Sequence, residues 1–347
     1  MRSVIPTRTS NLPSGWQAAA LIGTAGLAAS LAFVLSKKSS AEREHPAQGK
    51  FIEVDGVRLH YLERGDPSAP ALVLLHGNGL FAQDFDLSGL LDGAAQPYRV
   101  IAFDRPGFGY SERPGDLTWT PEAQARLIYK ALHQIGVEQP LIIGHSWGTL
   151  VTLAVALDYP RYVRAITLVS GYYYPSTRVD AALAAAPAVP VLGHIMRYTL
   201  APLLGRMIWP LLVKKMFGPA PVPERFQALP VWMALRPAQL GAAASESALM
   251  APAAARLSRR YGELTLPVAV IAGRGDRIAN VRHHAVRFHQ DVPHSELIVE
   301  DGVGHMPHYA NPGVIMDAVG RLEAGLKPGA PTPAYAPATA PAGASLH

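Results

Sequence analysis

A serine enclosed by glycines is the group in this chain whose type and setting most directly predict chemistry. The run Gly-His-Ser-Trp-Gly from Gly144 to Gly148 follows an apolar stretch of strand length and precedes an apolar stretch of helical length. A sharp turn between a strand and a helix exposes a serine hydroxyl above the sheet, and the N-terminus of the helix favours negative charge beside it. The pattern therefore predicts a nucleophile at Ser146.

A serine hydroxyl is a weak nucleophile at neutral pH, so it needs a general base and an acid that orients this base. Asp276 follows the strand-like run Val268–Ala272, and His305 follows the run Glu296–Val299. In a parallel sheet, both would lie at the same edge as Ser146. The chain order serine, aspartate, histidine matches the hydrolase arrangement.

Each of these partners has a structural alternative. Asp276 could instead cap a helix that begins near Asn280, and His305 is one of 13 histidines, any of which can serve packing or solvation. Asp180, after the sixth predicted strand, is the reserve candidate for the acid. The joint placement of Asp276 and His305 after the last two predicted strands favours these two residues as acid and base.

The loop that begins at His76 can direct backbone N–H groups toward the serine, because it directly follows the apolar run Ala71–Leu75. An anionic tetrahedral intermediate needs about two such donors in a water-poor site. We assign this oxyanion hole to the backbone N–H groups of Asn78 and Trp147. His76 itself is predicted to be structural, and Asp104 is predicted to fix a turn.

The overall composition excludes several classes of chemistry. The chain has 347 residues, of which 49% are hydrophobic and 16% are charged, so it can bury a sizeable core. It contains no cysteine, which excludes disulfides, thiolate nucleophiles and sulfur-ligated metals. The net charge is +5, but the lysines and arginines are scattered, and we expect no nucleic-acid partner. No metal ion and no organic cofactor is implied.

Runs rich in valine, isoleucine and leucine alternate with helical segments through most of the chain. Thr120, Pro121 and Gly136 mark one such helix as its N-cap, its first residue and the residue after its end. The alternation predicts an α/β fold with an eight-stranded, mostly parallel sheet flanked by helices. The predicted strands are Phe51–Val54, Arg58–Glu63, Ala71–Leu75, Arg99–Phe103, Leu141–Gly144, Ala165–Val169, Val268–Ala272 and Glu296–Val299.

One long stretch, residues 176–262, interrupts this alternation, since it is rich in Ala, Pro, Leu, Met and Trp and has no strand pattern. We predict a helical lid over the carboxyl edge of the sheet, where ligands of open α/β sheets bind. The core then comprises residues 51–175 and 263–326. The predicted substrate contacts are Phe81, Trp209 and Trp232, and the apolar lid predicts an apolar small-molecule substrate.

The N-terminal region contains a candidate membrane span. Residues 16–36 carry no charge and are long enough to cross a hydrocarbon core of about 30 Å. We predict a single-pass anchor that follows a polar segment, residues 1–15, and precedes a linker, residues 37–50. A cleaved signal peptide, which would release a secreted or periplasmic protein, is the alternative. Flanking positive charges leave the side of the membrane open.

The C-terminal residues 327–347 are rich in proline and alanine without periodicity, so we predict a disordered tail. Neither this tail nor the linker is expected to carry chemistry.

These motifs together resemble the α/β-hydrolase fold family, in the lid-bearing branch that includes esterases, C–C bond hydrolases, epoxide hydrolases and haloalkane dehalogenases. The resemblance covers roughly residues 51–326 and rests on residues 76–79, 104–111, 144–148, 273–276 and 302–308. Similar epoxide hydrolases and dehalogenases carry an aspartate where Ser146 stands, so the resemblance implies an acyl intermediate here. Asn78 and Trp147 stand where the dehalogenases hold their halide.

The expected reaction is hydrolysis of a carboxylic ester of an apolar small molecule. Ser146 attacks the carbonyl, His305 transfers the proton, and Asp276 holds the imidazole tautomer. Thioester hydrolysis, C–C bond hydrolysis and peracid formation use the same three residues and stay open. A non-catalytic binding protein on this fold is the alternative from another class.

Overall fold

The strands of the computed structural model, which describes residues 15–176 and 184–326, form one sheet of eight strands. No strand differs from its predicted bounds by more than one residue at either end. The strands are β1 Lys50–Val54, β2 Val57–Arg64, β3 Ala71–Leu75, β4 Arg99–Phe103, β5 Leu141–His145, β6 Ala165–Val169, β7 Val268–Gly273 and β8 Glu296–Glu300.

The sheet order is β1-β2-β4-β3-β5-β6-β7-β8, and strands from β4 to β8 run parallel to one another. Only the pairs β1–β2 and β2–β4 are antiparallel. The predicted mostly parallel α/β sheet is therefore confirmed. Its order brings the ends of β3, β5, β7 and β8 to a common carboxyl edge, which is where the candidate site residues follow their strands.

Helices cover both faces of the sheet because its central strands are apolar on both sides. In β3, Val73 and Leu75 pack in one apolar layer, whereas Leu72 and Leu74 pack in the layer on the opposite face. Such complete burial is what a continuous apolar run in a parallel sheet predicts. The helices of the core are Gln83–Leu87, Leu90–Ala94, Pro121–Gln134, Gly148–Asp158, Arg282–Val286, Arg287–Asp291, Pro307–Ala310 and Pro312–Leu326.

The chain between β6 and β7 forms the predicted helical lid, and its described residues contain no strand. Residues 177–183, which include the reserve acid Asp180, lie outside the described residues. The lid helices are Leu192–Tyr198, Leu200–Phe217, Glu224–Gln227, Val231–Ala234 and Pro237–Leu257, with short 3₁₀ helices at Ala186–Ala188 and Ser258–Glu263.

The N-terminal helix, Gly15–Glu44, is longer than the predicted span. The predicted linker at 37–50 was wrong over residues 37–44, which continue the helix. Lysine, alanine, glutamate and arginine are good helix formers, and Lys38 pairs with Glu42 one turn later. Arg236 of the lid also binds Glu42 at 3.0 Å, so tertiary contact supports this last part of the helix.

The apolar part of this helix is exposed in the structure. Its most apolar 18-residue window has a mean hydropathy of 2.1, and 6% of that window is buried. A core helix of a soluble domain would be mostly buried, so the helix is apolar without a protein core to explain it. The predicted polar segment at 1–15, apart from Gly15, and the predicted tail at 327–347 lie outside the described residues.

The helix Pro121–Gln134 allows a direct test of one sequence signal. The Thr120 side chain accepts a hydrogen bond from the backbone N–H of Ala123 at 3.2 Å. Replacing Thr120→Ala should lower the free energy of unfolding by about 1 kcal/mol, because one N-terminal N–H group loses its partner. Chemical denaturation of the variant measures this change. Thr118→Ala, in the exposed loop before the helix, is the control and should leave the midpoint unchanged.

Candidate active site

Ser146 lies in a strained turn between β5 and the helix Gly148–Asp158, which we term the elbow helix. Its φ of 52° falls in the left-handed region that residues with side chains rarely adopt. The turn is held by its backbone: Ser146 N–H donates to the carbonyl of Val169 at 2.9 Å, and Thr149 N–H donates to the carbonyl of Ser146 at 3.1 Å. These bonds fix the direction of the serine side chain.

The two glycines of the motif are required by close packing of the elbow helix. A Cβ atom at Gly148 would lie 2.1 Å from the carbonyl oxygen of Leu75, and one at Gly144 would lie 2.4 Å from Thr152 Oγ1. Both distances are far below contact distance, so only glycine lets the helix approach β3 and β5 this closely. The spacing of Gly144 and Gly148 in the motif therefore reflects this packing constraint as well as the geometry of the turn.

The structure brings the three predicted site residues together in one hydrogen-bonded line. Ser146 Oγ lies 2.9 Å from His305 Nε2, and His305 Nδ1 lies 2.7 Å from Asp276 Oδ2. An ionised carboxylate can only accept hydrogen bonds, so Nδ1 carries the proton and Nε2 is free to accept the serine proton. This is the geometry that a serine nucleophile, a base and an orienting acid require.

Asp276 is buried and is held by more than its contact with His305. Its Oδ1 atom accepts hydrogen bonds from the backbone N–H groups of Ile278 at 2.7 Å and Ala279 at 2.9 Å. Burial raises the pKa of Asp276, but His305 and the two N–H donors outweigh this effect and hold the pKa below its usual value. Ionised Asp276 therefore stabilises the fold above about pH 4, and this contribution is lost as the pH falls through the lowered pKa.

The backbone of His305 is fixed from two directions. His145 Nε2 donates to the carbonyl of His305 at 2.9 Å, and His305 N–H donates to the carbonyl of Met216 at 2.7 Å. Met216 belongs to the lid helix Leu200–Phe217. The lid is thus in direct contact with the loop that carries the candidate base, through a hydrogen bond between backbone atoms.

Two glycines in the site loops explain how the lid approaches so closely. A Cβ atom at Gly304 would lie 2.5 Å from the carbonyl oxygen of Gly218, and one at Gly275 would lie 2.2 Å from Pro219 Cδ. The lid segment at residues 216–219 therefore packs on both the Asp276 loop and the His305 loop. The sequence analysis did not predict this contact, although the Gly-x-Gly-Asp and Gly-x-Gly-His patterns are its local signature.

The two residues predicted to form the oxyanion hole lie in different segments: Asn78 in the loop after β3, and Trp147 directly after Ser146. Among the described residues, neither the backbone N–H of Asn78 nor that of Trp147 donates a hydrogen bond. Gly77, which precedes Asn78, lies so close that an added Cβ atom would be 3.1 Å from Ser146 Cβ. The Asn78 loop is therefore adjacent to the candidate nucleophile, and its role as a donor stays a prediction.

A buried ion pair that was not predicted from the sequence holds this loop. The Arg105 guanidinium is fully buried and donates to the carbonyl oxygens of His76 at 2.8 Å and Gly77 at 3.1 Å. It also forms a bidentate contact with Glu246 of the long lid helix Pro237–Leu257, and Gln124 donates to the same carboxylate at 3.0 Å. Arg105 and Glu246 are 141 residues apart, so no local pattern could indicate the pair.

His76 and Asp104 have the structural settings that were predicted for them. His76 Nδ1 contacts the carbonyl of Gly77 at 2.7 Å, and Nε2 accepts from the backbone N–H of Arg105 at 3.0 Å. Burial, with the nearby Arg105 charge, lowers the pKa of His76 well below its usual value, so the ring is neutral. The Asp104 carboxylate accepts from the backbone N–H groups of Ala82 at 2.7 Å and Tyr110 at 2.8 Å, which fixes the turn.

The predicted substrate contacts are engaged in packing. Phe81 is buried in an apolar cluster between the core and the lid. The Trp209 ring stacks on Phe226, with 6.5 Å between centroids, and the Trp232 ring packs edge-on against Phe33 of the N-terminal helix at 5.9 Å. The role of these three residues in substrate binding stays a prediction.

One buried group of side chains, Asp84, His145 and His308, has the residue types and spacing of a metal site, with ligand atoms within 4.8 Å of one another. The Asp84 carboxylate and one nitrogen of each histidine ring have protein partners, whereas His145 Nδ1 and His308 Nδ1 are buried without one in the part of the chain that the structure describes. Asp84 contacts His308 Nε2 at 3.0 Å and the Tyr309 hydroxyl at 3.0 Å, while His145 donates to the His305 backbone. The group is thus a hydrogen-bonded support behind the candidate base.

A family model described as the alpha/beta hydrolase fold matches residues 70–312, which is well over half of the chain. The chain belongs to the α/β-hydrolase fold family. Its GHSWG turn, Asp276 loop and His305 loop all lie within the matched range.

The names of the relatives of this α/β-hydrolase refer to different kinds of substrate. The chain is 32% identical over 151 residues to bifunctional epoxide hydrolase 2 of Sus scrofa, covering 43% of this chain and 26% of that protein. It is 35% identical over 143 residues to 2-hydroxymuconate semialdehyde hydrolase of Pseudomonas putida, covering 40% of this chain and 49% of that protein. The chain therefore matches less than half the length of these curated relatives.

Among solved structures, this α/β-hydrolase is similar to a bacterial membrane phospholipase A. The TM-score is 0.62 at 20% identity, and the match covers 90% of this chain and 97% of that one. At this identity the likeness extends to the fold alone.

The buried Arg105–Glu246 pair gives a prediction for the site. Glu246→Gln should lower the free energy of unfolding by about 3–5 kcal/mol, because it leaves the Arg105 charge buried without its counter-ion. It should also lower ester turnover, since Arg105 holds the loop of Asn78. Thermal unfolding and kinetics on the same sample measure both effects.

The matched control is Glu263→Gln. Glu263 pairs with Arg260 at 3.0 Å, but its side chain is 55% exposed, and exposed pairs contribute about 0–1 kcal/mol. Equal effects of the two variants on stability would contradict the importance of the buried pair.

Proposed function

We propose that this chain is a serine hydrolase that cleaves a carboxylic ester of an apolar small molecule through an acyl-enzyme intermediate. The observation that carries the proposal is the hydrogen-bonded line from Ser146 Oγ to His305 Nε2, at 2.9 Å, and from His305 Nδ1 to Asp276, at 2.7 Å. A binding protein on this fold would not need all three groups in this arrangement, with the acid ionised and the base in the correct tautomer.

The reaction follows from the protonation states of these groups. His305 Nε2 takes the proton of Ser146 as the serine oxygen attacks the ester carbonyl, and the imidazolium is stabilised by ionised Asp276. The backbone N–H groups of Asn78 and Trp147 donate to the oxyanion. His305 then gives the proton to the leaving alcohol, and a water molecule, deprotonated by the same ring, cleaves the acyl ester of Ser146.

The identity of the nucleophile limits the bonds that this site can cleave. Attack by serine on a carbonyl gives an ester, which water hydrolyses with the same base. Attack by serine on an epoxide or a haloalkane carbon would give an ether, which water does not cleave under these conditions. Turnover of such substrates is therefore not expected, although the epoxide hydrolase of Sus scrofa is a relative. Thioesters, C–C bonds next to a ketone and peracid formation remain compatible with the site.

We also propose that the N-terminal helix anchors the protein in a membrane. The alternative, a cleaved signal peptide, would remove residues that contact the lid. Ser30, which cleavage before Phe33 would remove, donates its hydroxyl to the carbonyl of Thr199 at 2.9 Å. Phe33, which would become the new N-terminus, packs against Trp232. A helix that is docked on the folded domain at these positions supports retention of the segment over its removal.

Ser146→Ala tests the central proposal. The variant should fold, lose covalent labelling by a fluorophosphonate and lose ester turnover by a factor of the order of a millionfold, as in other enzymes of this kind. Ser68→Ala, an exposed serine of the loop before β3, is the control and should label and turn over normally. A Ser146→Ala protein that keeps more than about a tenth of the activity would remove Ser146 from the role.

Two further variants test the acid and the base in the same assay. Asp276→Asn and His305→Ala should each cost at least about a thousandfold in turnover, and the double variant should cost little more, because the three residues act as a unit. Asp180→Asn should cost little. If Asp180→Asn, and not Asp276→Asn, lowered turnover at least about a thousandfold, the assignment of the acid would be wrong.

The substrate class is tested by a graded series of p-nitrophenyl esters. Each methylene that is buried in an apolar pocket contributes about 0.8 kcal/mol, or nearly fourfold in kcat/KM. We expect kcat/KM to rise from acetate to about hexanoate and to fall for charged acyl groups. A preference for acetate over butyrate and hexanoate would contradict an apolar acyl site.

Membrane anchorage is tested by fractionation of cells that express the full chain. The protein should remain in the pellet after a carbonate or high-salt wash, because burial of an apolar helix does not depend on ionic strength. The intact mass of the purified protein is the second measurement. A mature chain that starts near Phe33 would decide in favour of the signal peptide.

A further inference from the structure

The lid helix Leu200–Phe217 exposes an apolar face. Met207 is 74% exposed and Leu211 is 72% exposed, values that are unusual for large apolar side chains in a folded domain. The exposed apolar residues recur at three- and four-residue spacing, so they form one stripe along the helix. They are Leu200, Leu204, Met207, Ile208 and Leu211.

The preceding turn and helix extend this surface. Four more apolar residues are exposed there, and residues 189–212 contain no acidic residue, two arginines, Arg197 and Arg206, and one histidine, His194. We call the whole surface the lid face. Its added members are Val189, Val191, Leu192 and Ile195. A contiguous apolar surface of this kind marks a docking site for a partner or a membrane.

The depth of the lid face relative to the N-terminal helix identifies its partner. Ser30 lies within the apolar span, and its hydroxyl donates to the carbonyl of Thr199 at 2.9 Å. Thr199 directly precedes Leu200, the first residue of the exposed stripe. If the span crosses a bilayer, the stripe therefore begins at a depth where the neighbouring helix is surrounded by hydrocarbon.

Charged contacts lie at the polar end of the interface between the N-terminal helix and the lid. The Lys37 ammonium lies 5.9 Å from the ring centroid of Trp232, and Arg236 binds Glu42 at 3.0 Å. Lysine, arginine and tryptophan are the residues that anchor proteins at the membrane surface. Along the N-terminal helix, Ser30 contacts the start of the lid face, and Lys37 and Glu42 follow, in contact with aromatic and charged groups. A helix that passes from the hydrocarbon layer into the membrane interface has its contacts in this order.

We propose that the lid face is inserted into the bilayer beside the anchor helix, and that the enzyme takes its ester substrate from the lipid phase. The proposal rests on the membrane anchorage and the serine hydrolase function proposed above. The bilayer is the occupant because a protein partner at the depth of Ser30 would itself have to lie within the membrane. Amphipathic helices bind membranes in this way by burying an apolar face at the level of the headgroups and upper acyl chains.

The same helix connects the lid face with the candidate active site. Leu200 lies at its membrane end, and the carbonyl of Met216 near its other end accepts the hydrogen bond from His305 N–H. Its 18 residues span about 27 Å at 1.5 Å per residue, so the active site lies within one helix length of the bilayer. A lipid-dissolved ester is therefore the substrate class that this placement favours.

The chain has no cysteine, which allows probes to be attached at single positions of the full-length protein. A fluorophore on Met207→Cys reports the lid face, one on Leu31→Cys reports the anchor, and one on Phe51→Cys reports the exposed edge strand β1. The labelled proteins are reconstituted in phosphatidylcholine vesicles with and without bromine on the acyl chains. Each labelled variant is first assayed with p-nitrophenyl butyrate in detergent micelles.

The proposal expects acyl-chain bromine to quench the probes at residues 207 and 31 and to leave the probe at residue 51 unquenched. Quenching at residue 31 alone would overturn the insertion of the lid face while leaving the anchor intact. Quenching at neither position would show that the anchorage itself is wrong. A residue-207 probe that is shielded from both bromine and aqueous iodide, in a protein that cross-links to itself, would assign the lid face to a second copy and overturn the proposal.

A second experiment separates membrane access from chemistry. The double variant Met207→Glu, Leu211→Glu should lose at least about fivefold in the hydrolysis of a long-chain p-nitrophenyl ester dissolved in vesicles, because a charged face binds the bilayer poorly. Its turnover of p-nitrophenyl butyrate in micelles should equal that of the wild type, as should both activities of Phe51→Glu. Unchanged vesicle activity of the double variant would contradict the proposal. If the wild-type chain did not hydrolyse p-nitrophenyl butyrate in micelles, the proposed hydrolase function itself would be wrong.

Discussion

The backbone turn at Ser146 is the constraint on which the rest of the site depends. A residue with a side chain at a φ of 52° is unfavourable on its own, and the turn persists because neighbouring strands and the elbow helix hold it. That helix reaches its position only because Gly148 lacks a side chain next to Leu75. The position of the hydroxyl is thus fixed by the packing of the central elements around it.

The groups around Ser146 differ in charge, and the difference favours proton transfer from Ser146 to His305. Burial, with a further contribution from neighbouring histidines, lowers the pKa of His145 well below its usual value, so this ring is neutral behind the candidate base. The Arg105 charge is neutralised by Glu246. Ionised Asp276 is then the charge that acts on His305 at closest range, at 2.7 Å. In a site of low dielectric, this arrangement favours the imidazolium that forms during proton transfer.

The sequence was sufficient for those features that depend on local patterns. All the strands were predicted because apolar runs with turn residues at their ends have few other solutions, and Ser146, Asp276 and His305 were predicted because each directly follows a strand of one sheet. The Arg105–Glu246 pair joins distant parts of the chain and has no local pattern. Gly275 and Gly304 indicate close packing, but no local pattern identifies residues 216–219 as the segment that packs on them. Composition also cannot separate a tryptophan that packs a lid, such as Trp232, from one that contacts a ligand. The helical continuation at 37–44 has good helix formers, but it is also supported by the contact between Glu42 and Arg236, which only the fold reveals.

The hydrogen bond from His305 to Met216 limits how this enzyme can admit a ligand. A lid that swings open as a rigid unit would break that bond and release the backbone that carries the base. The helix Leu200–Phe217 must therefore stay closed for His305 to keep this backbone bond. This part of the lid then behaves as a fixed wall, and the candidate base keeps its backbone position only while that wall is in place.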